Sequence, residues 1–183
     1  PNTNYSKNTK EANLIINEIS GSDISKLQGI TEIAGSKADI IISNPNGIYI
    51  NGAGFINTNN IKLTTNAPLE KTANNGKIEI DGLGLDLSNT DKSELIANLA
   101  KLNAPIYNAN ELEITLGSKE NNNNANSNSN DNVNSQTSNS NNDKNLQYSL
   151  DAKALGSIHA GKIKIISNDN GVGVKSNSQI YAK

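Results

Sequence analysis

Apolar and polar residues alternate with a period of two along most of this chain. Ile61 and Leu63 point one way, Lys62 and Thr64 the other. Ile78 and Ile80 oppose Glu79 and Asp81. Leu83, Leu85 and Leu87 follow on one face, and later Leu112, Ile114 and Leu116. Further on come Leu146, Tyr148 and Leu150, then Ile163 and Ile165, then Val172 and Val174. These short runs predict strands, with Asn, Gly, Asp and Ser as punctuation. Residues 91–100 break the period. There Leu95, Ile96 and Leu99 make an apolar stripe at helical spacing and Asp91 stands where a cap would, so one short helix is expected.

Many short strands with polar turns fit an antiparallel sandwich or a parallel β-helix, in which the chain winds and each rung stacks on the last. The turn signals separate the two. The Asn–Gly pairs are Asn46–Gly47, Asn51–Gly52, Asn75–Gly76 and Asn170–Gly171. The first two lie five residues apart, too close to close successive hairpins around a full strand. A β-helix accommodates them as corners within one rung. Composition points the same way. Hydrophobic residues make up 34% of the 183 positions, mostly Ile, Leu, Val and Ala, with one Phe and no Trp or Met. A lean, β-branched core suits stacked strands. Asparagine fills 35 positions. It tolerates the left-handed conformation that corners need, its amide satisfies turn backbone, and stacked corners can form asparagine ladders.

Residues 119–145 hold 13 Asn and 5 Ser in 27 positions, with only Ala125 and Val133 apolar. Such a segment cannot bury enough surface to offset its ordering entropy, so it reads as a disordered insertion within a single domain spanning 1–183. The chain begins at Pro1 without Met, and its last residues, Gln179 to Lys183, read as another strand starting. Either a leader has been removed or this is an excised fragment, and the natural chain is expected to continue.

Net charge is −2 and all 16 basic residues are Lys. Without Arg there is no bidentate fork for phosphate or guanine, and with a pI near 5.4 no nucleic-acid partner is expected. The absence of Cys removes disulfides and thiolate metal sites. His159 is the only histidine, and Ser157 stands beside it in sequence without a recognisable third group, so a structural role is the expectation. Glu79, Asp81 and Asp86 fall on outward faces and read as a solubilising surface rather than a glycosidase pair. The Gly/Asp repeat of calcium β-rolls is absent, and residues 82–86 lack a phosphate-binding Lys, so neither a metal nor a cofactor is expected.

Asn44-Pro45-Asn46-Gly47-Ile48 is the most specific stretch. Proline presets the second turn position, Asn and Gly accept unusual dihedrals, and Ile48 restarts the strand. In its surroundings, from Ala12 to Thr65, the stretch closely resembles the secretion domain of filamentous haemagglutinin-like exoproteins. These are the large passengers of two-partner secretion in Gram-negative bacteria, among them adhesins and contact-dependent growth-inhibition exoproteins. The resemblance continues through residues 95–117 and 154–174. It implies an all-β, right-handed parallel β-helix with some extra-helical strands. It further implies a secretion signal recognised in the periplasm by the POTRA domains of a dedicated outer-membrane TpsB transporter, followed by folding at the cell surface.

Two asparagine motifs mark the family. The NPNGI motif is intact at Asn44 to Ile48. At the earlier NPNL position this chain reads Asn2-Thr3-Asn4-Tyr5, keeping both Asn but neither Pro nor Leu. Some relatives carry Cys-Asn-Gly-Cys after the second motif, where Ile50-Asn51-Gly52-Ala53 stands here. The competing reading is a surface adhesin that binds host cells or glycans through the outer strand faces or the asparagine tract, but few aromatics are available for sugar stacking.

Overall fold

The computed structural model describes residues 11–70, 76–117, 148–168 and 173–182. The asparagine tract, Asn2, Asn4, Leu146, Val172, Asn75 and the Asn170–Gly171 pair lie outside those residues.

The described chain makes six successive rungs of strand. The first three carry two strands each: β1 (Leu14–Glu18) and β2 (Ser25–Glu32), β3 (Ala38–Ser43) and β4 (Ile48–Ile56), β5 (Thr58–Thr64) and β6 (Lys77–Leu87). The next three carry three each: β7 (Lys92–Ala97), β8 (Leu99–Leu102) and β9 (Ile106–Asn108); β10 (Glu111–Leu116), β11 (Leu150–Ala152) and β12 (Ile158–Ala160); β13 (Lys162–Ser167), β14 (Val174–Ser176) and β15 (Ile180–Ala182). The first strands of the rungs stack into one sheet, β1-β3-β5-β7-β10-β13, and the others into a second. Each recorded pairing is parallel. Two parallel sheets interleaved along the chain are the signature of the expected parallel β-helix. All fifteen described strands belong to these sheets, so the extra-helical strands implied by the resemblance are not among the described residues.

Alternation within each strand, repeated in register, lines the interior with columns. Ile42, Leu63, Leu95 and Ile114 form one, and Ile50, Ile80, Leu102 and Ala152 another. All eight are buried. At about 1.5–3 kcal/mol per fully buried Leu or Ile, this core is the principal stabilising term. The outer positions carry charges that alternate from rung to rung. Glu79, Lys101, Asp151 and Lys175 face outward in sequence. Lys162 pairs with Glu111 at 3.2 Å and Lys164 with Glu113 at 3.3 Å. Lys92 bridges Glu94 at 2.5 Å and Glu113 at 3.6 Å. The hydrogen bond to Glu94 raises the Lys92 pKa above its ordinary value, with burial opposing and the charges of Glu94, Glu113 and Glu111 adding.

Three expectations need correction. The helix at 91–100 is instead β7, a corner at Asn98, and the start of β8. Leu95, Ile96 and Leu99 mimic a helical stripe because a corner falls between two strands and resets the alternation. Pairing with β5 on one side and β10 on the other supplies backbone bonds and a buried face that outweigh helix propensity over ten residues. Second, Leu83 does not share a face with Leu85 and Leu87. It is 85% exposed, whereas Leu85 and Leu87 are buried. Gly82 (φ +55°) and Gly84 (φ +78°) bend β6 around it, and the register with β4 shifts there. Third, asparagine serves the corners mainly through its amide. Among the described residues only Asn57 (φ +60°) is a non-glycine with positive φ, and the amides bond backbone carbonyls, hydroxyls and carboxylates of adjacent rungs rather than forming asparagine ladders.

Candidate functional site: the Asn44–Ile48 corner

The corner joins β3 to β4. Asn at the first position, Pro at the second and Gly at the fourth are the preferences of a type I turn. The structure closes that turn with Gly47 N–H donating to Asn44 O at 3.1 Å. Pro45 and Asn46 are exposed, whereas Asn44, Gly47 and Ile48 are buried.

The Asn44 side chain has no exposed surface and uses its whole hydrogen-bonding capacity. Its Oδ1 accepts from Asn46 N–H at 2.9 Å and from Asn46 Nδ2 at 3.0 Å. Its Nδ2 donates to Asp23 O and to Ser25 Oγ, both at 2.9 Å. Asn46 Nδ2 also donates to Gly21 O at 2.6 Å. Two of these five side-chain contacts therefore set the turn itself, and three fasten it to the corner one rung earlier.

The rung after it presses on the other side. A Cβ on Gly47 (φ +125°) would lie 3.0 Å from Lys77 O, and one on Gly76 2.8 Å from Pro45 O. Gly47 O accepts from Ser25 N–H at 3.0 Å. Ile48, 2% exposed, pairs with Ser25 behind and Ile78 ahead, and so begins the core column of the second sheet. The corner is thus a sandwiched layer in the stack. Of the residues singled out from sequence, Asn44 to Ile48 come together here. What sequence reasoning missed is the partner set, Gly21, Asp23 and Ser25, whose only signal is their position one rung upstream.

Other chemistry is sparse. Among the described residues no group of three or more His, Cys, Asp or Glu is gathered for a metal ion. His159 Nε2 lies 3.0 Å from Ser157 Oγ, so these two residues do meet in space. The ring is also sandwiched between Tyr107 at 4.9 Å and Tyr181 at 4.6 Å, near parallel to both. A nucleophilic pair needs a group to orient the base and donors for an oxyanion. Here aromatic faces hold the ring, which is the work of an inter-rung ladder. A groove of about 330 Å³ runs beside the stack along Ser88, Asn108, Ala109 and Gly161. Because Tyr107 and His159 turn their faces to one another, those faces are not presented for stacking on a sugar.

Fold and corner together define the class: a β-solenoid whose rungs are stitched at the corners by asparagine amides. The model of the TPS secretion domain matches residues 3–183, and the chain belongs to that family. It is 38% identical over 179 residues to the toxin CdiA of Yersinia pestis, covering 94% of this chain and 5% of that protein. It is 35% identical over 173 residues to the 16S rRNA endonuclease CdiA of Enterobacter cloacae, covering 90% and 5%. The tRNA nuclease CdiA of Escherichia coli O6:K15:H31 is 35% identical over 181 residues, with 94% and 5% covered. The chain therefore spans about 5% of the length of these relatives. In fold it is similar to the crystal structure of the filamentous hemagglutinin secretion domain, with a TM-score of 0.72 at 23% identity over 92% of this chain and 59% of that one. The family's role is secretion, and its exoproteins are exported to the cell surface.

Proposed function

We propose that this chain is the signal by which a larger exoprotein is recognised in the periplasm, through the POTRA domains of an outer-membrane TpsB transporter. It then nucleates folding of that exoprotein at the cell surface. In this reading the domain comprises residues 1–183 with 119–145 as an insertion, and it performs no catalysis. The nuclease activities named for the relatives are those of proteins of which the match spans 5%.

One observation carries the reading. Every hydrogen-bonding position of the Asn44 side chain is occupied, and the side chain is buried, once the rungs have stacked. Pro45 and Asn46 stay exposed, but a transporter that reads Asn44, Gly47 and Ile48 must meet them before the chain folds. In the unfolded chain the same short alternating segments are free to add to a partner's sheet edge. The parallel topology makes that state long-lived, because its contacts are non-local. Asn44, Pro45, Asn46, Gly47 and Ile48, with Asn2 and Asn4 upstream, are then the recognition element, and the Asn44–Ile48 turn is also the corner that closes onto the rung before it. Closure withdraws Asn44, Gly47 and Ile48 from the transporter and makes release directional.

The test replaces Asn44 and Asn46 by Ala in the full-length exoprotein and measures its amount in the medium. A fall in export with periplasmic accumulation is expected, whereas unchanged export would remove the motif from the mechanism. A pull-down of the unfolded chain by the transporter's periplasmic region, run beside a glycan array of the folded chain, separates this reading from the adhesin. Strong glycan binding with no periplasmic capture would favour the adhesin.

A further inference from the structure

A second corner repeats the bonding of the first. Asn108-Ala109-Asn110 carries the chain from β9 into β10. Asn108 Oδ1 accepts from Asn110 N–H at 2.7 Å, as Asn44 Oδ1 accepts from Asn46 N–H at 2.9 Å. Asn108 Nδ2 donates to Ser93 Oγ at 2.7 Å, on the strand that leaves the corner stacked beneath, as Asn44 Nδ2 donates to Ser25 Oγ at 2.9 Å. Asn110 Nδ2 donates to Thr90 O at 3.3 Å, as Asn46 Nδ2 donates to Gly21 O at 2.6 Å. In both corners the first asparagine is buried and the second exposed. The flanking residues differ: Pro in one and Ala in the other between the asparagines, Gly-Ile in one and Glu-Leu in the other after them. The likeness therefore lies in the bonding.

Ser93 supplies an independent sign. It is fully buried in an inward column that otherwise reads Ile40, Ile61 and Leu112. A buried hydroxyl there is unfavourable unless bonded. Its bonds are to Asn108 Nδ2 and to Thr90 Oγ1 at 2.8 Å, and Thr90 Oγ1 in turn donates to Leu87 O at 2.8 Å. The column gives up an aliphatic residue where the clamp needs an acceptor.

We propose that Asn108 and Asn110 form a second folding clamp, which commits β10 to the stack before the chain enters residues 118–147. Its direction fits that role. Asn44, Asn46, Asn57, Asn60, Asn103 and Asn110 each donate a side-chain N–H to a residue 20 to 25 positions earlier, one rung back, and Asn108 donates to Ser93, 15 positions earlier. Asn66, whose Nδ2 bonds Glu70 ahead of it, is an exception, but these seven amides all complete their corners on chain already laid down, as assembly in chain order requires. β10 then waits as the template for β13, with Lys162 N–H bonding to Asn110 O at 2.7 Å. A clamp that guides folding acts in the transition state and not only in the finished coil.

The test measures refolding and unfolding rates of the 183-residue chain by stopped-flow circular dichroism for Asn108→Ala, the milder Ser93→Ala, and Ala109→Pro. Asn108→Ala is expected to slow refolding about tenfold and to change unfolding less than about threefold. Ser93→Ala should shift refolding in the same direction by a smaller factor. Ala109→Pro recreates the Asn-Pro-Asn sequence after an extended residue, where proline is tolerated, and should speed refolding or leave it unchanged. Faster unfolding with unaltered refolding in Asn108→Ala and Ser93→Ala would make the residues merely structural and overturn the proposal. So would slowing by Ala109→Pro. If Asn108→Ala fails to fold, the other two variants decide. Capture of urea-unfolded Asn108→Ala by the transporter's periplasmic region should match the unsubstituted chain, while Asn44→Ala should lose it. That contrast keeps failure of the clamp distinct from failure of the recognition reading.

Discussion

Replacing Asn44 by Ala removes four hydrogen bonds and leaves three groups of the neighbouring chain without their partner: Asp23 O, Ser25 Oγ and Asn46 N–H. A polar group stripped of its partner costs about 1–3 kcal/mol when buried. These three sit at a partly exposed corner where water reaches some of them, so the low end applies to each, and the sum is about 3 kcal/mol. For a chain of this size about 2–4 °C of melting temperature is lost per kcal/mol, so Tm should fall by about 6–12 °C. Urea denaturation followed by far-UV circular dichroism reads the same quantity as a lower midpoint at unchanged slope. Asn44→Asp sharpens the result. It keeps the acceptor but puts an oxygen where Nδ2 faces Asp23 O, so it should cost at least as much as Ala. A loss under about 1 kcal/mol for Asn44→Ala, or wild-type stability for Asn44→Asp, would refute the clamped corner.

Other substitutions test other parts of the coil. Gly84→Ala would place its Cβ 2.2 Å from Pro105 O at a φ of +78°, and should destabilise by more than about 2 kcal/mol in the same denaturation experiment. Leu83→Ser, at an exposed bend, should stay within about 0.5 kcal/mol, while Leu85→Ala, two residues on in the core, should cost about 2–5 kcal/mol. Lys92→Met should cost less than about 1 kcal/mol at low salt, because the ammonium is partly solvated. Since the folded state raises the Lys92 pKa, its contribution is present below the unfolded value of about 10.4 and lost as pH rises through the folded value, so wild type and variant should converge in alkaline denaturation. Exchanging residues 119–145 for a short Gly/Ser linker should keep the fold and add about 1 kcal/mol through a shorter loop to close, read as a higher urea midpoint. Loss of folding would place those residues inside the domain's structure.

The alternating runs were enough to place most of the core. Ile61, Leu63, Ile78, Ile80, Leu112, Ile114 and Leu116 all face inward because period two survives wherever a strand is continuous. It failed at bends. Leu83 looks regular in sequence and the stretch around Asn98 looks helical, yet a bend at the first and a corner at the second reset which side faces in, and both depend on stacking against neighbouring rungs. The Asn44–Ile48 turn was legible from Asn, Pro and Gly at fixed offsets. Its tie to Gly21, Asp23 and Ser25 was not, since it depends on how many residues one rung takes. The Asn108 clamp was hidden for the same reason. Asn108-Ala109-Asn110 has neither the proline nor the glycine that makes the first corner conspicuous, and Ser93 looks like any strand serine until its column is drawn. Likewise Ser157 and His159, two apart in sequence, meet because a strand projects alternate residues to one face.

The central claim is that recognition and folding compete for one motif. It is tested most directly by refolding the 183-residue chain from urea in the presence of increasing amounts of the transporter's purified periplasmic POTRA region. The amplitude of native signal should fall, and the observed refolding rate slow, in proportion to POTRA concentration, while chain folded beforehand should neither bind nor unfold faster. Tight binding of the pre-folded chain, with refolding indifferent to the POTRA region, would contradict the claim.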